Sequence, residues 1–156
     1  MTSFNVLLVD DEKPFVEALA QRLRHRKITV DCSFSGTEAL KRLEKDDTID
    51  VVILDLKMPE LDGIEVVKAI KKKHPLVEII MLTGHATIHS AVETATFGAF
   101  DYLTKPCNLN QLIAKAEQAA LRKKEREAKL FDARTKPYIS DRERNELISK
   151  ILNYKS

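Results

Sequence analysis

Glycine is scarce in this chain, with 4 residues in 156, and neither GxGxxG nor GxxxxGK[ST] follows any candidate strand. Two common backbone cradles for nucleotide phosphates are thereby excluded. Cysteine is scarcer still. Cys32 and Cys107 lie far apart and match no CxxC spacing, which argues for free structural thiols over a metal or redox pair. No long apolar run occurs, and Met1 to Asp11 has no basic region leading into an apolar stretch and a cleavage site. With 44% hydrophobic and 32% charged residues, the composition reads as a soluble cytoplasmic globular protein with no membrane partner. Internal repeats and low-complexity segments are absent too.

The 156 residues suffice for one ordinary domain with an appendage. Charge divides the chain. Residues 1–121 carry 15 Lys+Arg against 18 Asp+Glu, whereas residues 122–156 carry 11 against 6. The body is mildly acidic and the tail basic, which suggests a domain over 1–121 and a charged helical extension over 122–156.

Five apolar, β-branched segments stand out: FNVLLV (4–9), ITVDC (28–32), VVIL (51–54), VEIIML (77–82) and AFDYL (99–103). A helical pattern follows each. Pro14 suits a first helical turn, and Phe15, Leu19 and Leu23 repeat at helical spacing. SGTE (35–38) and DGIE (62–65) have the spacing of capping boxes, and NLNQ (108–111) is a weaker start signal. Strict βα alternation predicts an α/β fold, an open doubly wound parallel sheet of five strands with helices on both faces. For strand order 2-1-3-4-5, the ligand crevice lies outside the carboxyl ends of the first and third strands.

Acids stand at those ends: Asp10 and Asp11 after NVLLV, and Asp55 after VVIL. A strand buried on both faces reads as a continuous apolar run. Asp55 is therefore expected where that run leaves the sheet and reaches solvent. Thr83 ends the fourth strand and Lys105-Pro106 closely follows the fifth. Three clustered carboxylates repel one another unless a cation compensates them. A hard divalent ion suits that need, and Mg²⁺ keeps part of its shell for water and phosphate oxygens. This chemistry fits phosphoryl transfer to a carboxylate, which depends on positioning and charge neutralisation. Asp55 is the candidate nucleophile, Asp10 and Asp11 the metal holders, and Lys105 and Thr83 the groups that meet the phosphoryl oxygens.

LLVDDE, VVILDLKMPELDG, MLTGHA and AFDYLTKP, in this order, resemble the receiver domain of two-component response regulators over residues 4–121. The resemblance implies a flavodoxin-like (CheY-like) fold and phosphotransfer from a sensor histidine kinase or phosphotransfer protein to Asp55. It implies Mg²⁺ (or Mn²⁺) held by Asp11 and Asp55 directly, by Asp10 largely through water, and by the backbone carbonyl of Lys57. It also implies a switch in which Thr83 moves toward the phosphoryl group and Tyr102 turns inward, altering the surface of residues 87–121 for a downstream protein. The Lys105-Pro106 bond is expected to be cis. Lys57 and His85 occupy positions that influence phosphate lifetime in the family.

Plainer readings stand beside these. Alone, DDE is a solvated helix-capping cluster, and Tyr102 is a half-buried aromatic on an edge strand. His85 and His89 have i,i+4 spacing but no third ligand, so solvated histidines are favoured. The basic run RKKERE (122–127) is a thin footprint that argues against nucleic acid as a partner of this chain. From Leu109, a 3,4 spacing reaches Leu112, Ala116 and Ala119, then Lys123 and Arg126 before Leu130. Two charges in that seam argue against a long coiled coil, though dimerisation through 109–120 stays open. Pro137 stops any helix, and SDRE (140–143) opens a short one whose Leu147, Ile148, Ile151 and Leu152 need a partner, in this chain or another. Residues after 121 are too few for a helix-turn-helix output domain.

The expected function is thus a phosphoacceptor switch, with no enzymatic activity beyond its own phosphorylation and dephosphorylation. One alternative is the receiver part of a longer DNA-binding transcriptional regulator. The other is an aspartyl-phosphate phosphohydrolase, disfavoured because Lys57 stands where such enzymes carry a second acid.

Overall fold

The structure, a computed structural model, describes residues 3–85 and 87–153. The expected extension ran to 156, and its last three positions lie outside the described residues. Elements alternate as anticipated: β1 (Asn5–Val9), α1 (Lys13–His25), β2 (Thr29–Ser33), α2 (Gly36–Lys45), β3 (Val51–Leu54), α3 (Gly63–Lys73), β4 (Glu78–Thr83), α4 (Ile88–Thr96), β5 (Asp101–Thr104), α5 (Leu109–Thr135) and α6 (Asp141–Leu152). The five strands are parallel, in the order β2-β1-β3-β4-β5.

Period-2 alternation sorts the strand residues into two cores. Val6, Leu8, Ile53, Ile80 and Leu82 face α1 and α5, where they meet Val16, Leu19, Leu23, Leu112 and Ala116. Leu7, Val9, Val52, Leu54, Ile79 and Met81 face the other way, onto Ala39, Leu43, Val66, Val67 and Ile70 of α2 and α3. β3 and β4 are buried at every position, which explains the unbroken apolar sequence of β3 and of Ile79–Leu82 within β4, whose ends are the buried polar residues Glu78 and Thr83.

Helix starts differ in detail from the expected capping boxes. Ser35 Oγ accepts from the Glu38 amide, but the Glu38 carboxylate reaches back to the Phe34 amide, one residue before the cap. Asp62 accepts from the Glu65 amide, and Asn108 from those of Asn110 and Gln111. The reciprocal box lies at α4, where Thr87 and Ser90 exchange side-chain-to-amide bonds of 2.9 and 3.0 Å. α5 crosses the expected boundary at 121/122 without a break and ends before Pro137.

Candidate functional site: an acidic crevice at the strand ends

Parallel pairing carries the backbone directly into the site. The Asp10 amide donates to Ser33 O at 3.2 Å, the Asp55 amide to Val9 O at 3.0 Å and the Lys105 amide to Thr83 O at 2.9 Å. Each residue is thus fixed by a neighbouring strand end. The carboxylates of Asp10, Asp11 and Asp55 each offer an oxygen within 4.8 Å of the others. Such a cluster would repel itself without a cation.

Lys105 supplies part of the compensation. Its Nζ lies 2.5 Å from Asp10 Oδ2, 3.7 Å from Glu12 Oε1 and 3.8 Å from Asp55 Oδ2, and sits 4.2 Å above the Phe15 ring. Burial works against its charge, but the hydrogen bond to Asp10 and the neighbouring carboxylates outweigh that cost and hold the ammonium above the usual lysine range. The Lys105-Pro106 peptide bond is cis.

Asp55 does not reach solvent as its position at the end of the run suggested; it is 3% exposed. Tertiary packing closes over it. α3 starts against its backbone, with the Gly63 amide bonded to Leu56 O at 2.6 Å, while Lys105 reaches across from β5. Burial pushes the Asp55 carboxyl up, aided by the charge of Asp10 and opposed by the Thr83 hydroxyl and Lys105. One of its oxygens, Oδ1, is buried with no hydrogen-bond partner. An ionised oxygen without a partner at that depth is costly, and a cation or transferred group relieves the cost.

Thr83 is fully buried at the end of β4, where its Oγ accepts the His85 amide at 3.1 Å. Lys57 and His85 are exposed on the flanking loops, and Asp11 is exposed at the rim. Tyr102 is not in the crevice. It packs against the α2/α3-side core, and its hydroxyl lies 2.8 Å from Ser90 Oγ. His89, at the start of α4, pairs with Glu93 at 3.3 Å, and His85 lies outside that helix, so the two histidines form no ligand pair.

Sequence reading missed three contributors. Glu12 and Phe15 flank Lys105; Glu12 was visible only as the third acid of the DDE cluster, and Phe15 only as one position of an amphipathic helix. At Gly63, an added Cβ would lie 2.6 Å from Asp55 O and 2.7 Å from Leu56 Cα, so only glycine lets α3 begin there. The DG pair after the strand was its only local signal.

Residues 6–117 match the family described as the response regulator receiver domain. The chain belongs to that family. It is the receiver domain of a two-component response regulator. Similar proteins include a putative response regulator NtrX-like from Rickettsia felis, 36% identical over 121 residues that make up 76% of this chain and 25% of the relative. The DNA-binding transcriptional regulator NtrC of Escherichia coli is 35% identical over 114 residues, 73% of this chain and 24% of its own length. The chain thus spans about a quarter of the length of the curated relatives it matches. Among solved structures, a response regulator receiver domain protein from Clostridium thermocellum is similar with a TM-score of 0.74 and 35% identity, covering 78% of this chain and 97% of that one. No helix of the described residues is long and apolar enough to cross a membrane.

Proposed function

We propose that Asp55 accepts a phosphoryl group from the phosphohistidine of a sensor kinase or phosphotransfer protein. The observation that carries this reading is the buried, unpartnered Asp55 Oδ1 beside two further carboxylates and one ammonium. A carboxylate oxygen of Asp55 forms the new bond to phosphorus as the bond to the donor nitrogen breaks. Lys105 then neutralises a phosphoryl oxygen and Thr83 hydrogen-bonds another.

The donor set fits a hard divalent cation, because oxygens from two buried carboxylates and one exposed one converge. Mg²⁺ or Mn²⁺ would be held by Asp10, Asp11, Asp55 and the backbone carbonyl of Lys57. When bound, the ion neutralises charge that builds on the phosphoryl oxygens. Lys57 two residues after Asp55 supplies no carboxyl for acid/base hydrolysis, which supports a switch over a turnover enzyme.

Output runs through a downstream protein that reads residues 87–121, in the cytoplasm, with the receiver over 1–121 and residues 122–156 as its helical extension. The similarity to NtrC and the quarter-length coverage favour a second reading for the whole protein, that this receiver governs a DNA-binding regulator. Phosphorylation-driven homodimerisation is a further readout.

Incubation with Mg²⁺ and acetyl phosphate, followed by intact mass, tests the reading. A gain of one phosphoryl group is expected, lost in Asp55→Asn and on chelation. No gain beside a control receiver that labels would overturn it. Elution volume in the same samples reports dimerisation.

A further inference from the structure

The basic extension folds back on the domain at the end of the sheet opposite the acidic crevice. The buried stripe of α5 continues at 3,4 spacing through Ala116, Ala119, Lys123, Arg126, Leu130 and Ala133, far beyond the sheet-packing half. Its two charged members, which as seam residues would oppose a coiled coil, have acceptors in their own chain. Lys123 Nζ donates to Ile49 O at 3.1 Å and pairs with Asp50 at 3.0 Å. Arg126 Nη1 donates to Pro75 O at 3.1 Å and to Glu78 Oε1 at 2.9 Å.

Glu78 opens β4, is fully buried, and also meets Lys71 at 3.6 Å and Arg122 at 3.4 Å. Such a carboxylate is tolerable only while its cations stay in place. The remaining N–H groups of Arg126 bind α6: Nε and Nη2 donate to Ile151 O at 3.0 and 2.8 Å. From the other direction, Arg144 of α6 donates to Ala133 O, Arg134 O and Lys136 O, each at 2.9 Å. Each helix thus has carbonyls near its C-terminal end satisfied by an arginine of the other, where orphan acceptors and the negative end of the helix dipole lie.

Apolar burial in this attachment lies on the α5 side, where Leu130 and Ala133 are buried. α6 has no fully buried residue, and Leu147 is 37% exposed. α6 lies against α5, with Ile148, Ile151 and Leu152 of its predicted stripe half-buried. We infer that Arg126 and Arg144 form a reciprocal clasp that straps α6 onto α5, commits the α5 stripe to its own chain, and makes α6 a separately releasable element.

Amide hydrogen exchange and light scattering on the full chain and on Arg144→Ala test this, because Arg144 lies outside the Glu78 cluster and its loss leaves that buried charge paired. The wild type is expected to be monomeric without phosphodonor, with protected amides in α6. In Arg144→Ala, α6 amides should exchange roughly tenfold faster while those of β1, β3 and β4 keep their rates. Arg126→Met should release α6 further. Unchanged α6 protection in Arg144→Ala, exchange rising equally throughout the domain, or a wild-type dimer would overturn the inference.

Discussion

The hydroxyl of Tyr102 on β5 lies 2.8 Å from the hydroxyl of Ser90, the residue that completes the capping box of α4. Ser90 is itself buried, and its carbonyl accepts from Thr94 Oγ one turn on. The start of α4 is therefore tied to the aromatic expected to move. On the other side, the β4–α4 loop is tied to the site through the His85 amide on Thr83 Oγ.

Removing that hydroxyl contact should loosen the unphosphorylated arrangement. A hydrogen bond of this kind contributes about 1 kcal/mol, a population shift of roughly fivefold. Tyr102→Phe and Ser90→Ala are each expected to speed exchange of α4 amides and to raise the acetyl phosphate labelling rate by up to about fivefold. Exchange and intact-mass time courses check this. Equal labelling of both variants and wild type, with Asp55 still modified, would show that the bond does not restrain the switch.

Gly63→Ala forces a methyl group into the backbone of Asp55 and Leu56. A cost of about 1–3 kcal/mol is expected from overpacking, with slower labelling because the carbonyl side of Asp55 must shift. Chemical denaturation and labelling of the same sample measure both. Loss of stability with unchanged labelling would mean that α3 absorbs the strain without moving Asp55.

Lys105→Met removes the ammonium that lies near Asp10, Glu12 and Asp55. The Asp55 carboxyl, already pushed up by burial, loses one of the groups that lowers it. Labelling is expected to fall about a hundredfold, in line with loss of one preorganised charge-stabilising group. Its dependence on pH should shift toward higher values than in the wild type.

At the other end of the sheet, burial depresses the Lys71 ammonium to about 8, against the partial support of Glu78. The folded pKa lies below the unfolded one, so between about 8 and the ordinary lysine value the unfolded chain binds a proton that the folded chain does not. Stability should therefore rise with pH across that window, by about 1.4 kcal/mol per unit for this group. Urea unfolding at several alkaline pH values, wild type against Lys71→Met, isolates the contribution. A difference that stays constant with pH would rule out the depressed value.

Much of this protein was legible along the chain. The uninterrupted apolar run of β3 announced a strand buried on both faces, and βα alternation then dictated a parallel sheet whose carboxyl ends collect Asp10, Asp11, Asp55, Thr83 and Lys105. Those are consequences of local periodicity and of the handedness of parallel crossovers. What periodicity does not encode is depth and side-chain partnership. That Asp55 lies beneath Lys105, that Gly63 must lack a Cβ, and that Tyr102 meets Ser90 depend on how separate elements pack.

The tail makes the same division clear. Sequence by itself determined a helical start near Asn108, a helix stop before Pro137 and an amphipathic α6, because helix propensity, proline and capping serine act locally; that α5 runs on unbroken past 121 came from the structure. Only the tertiary structure decided that Lys123 and Arg126, which break a coiled-coil seam, are interior residues. Their acceptors, Asp50 and Glu78, lie 73 and 48 positions away along the chain and meet them only when the sheet has formed.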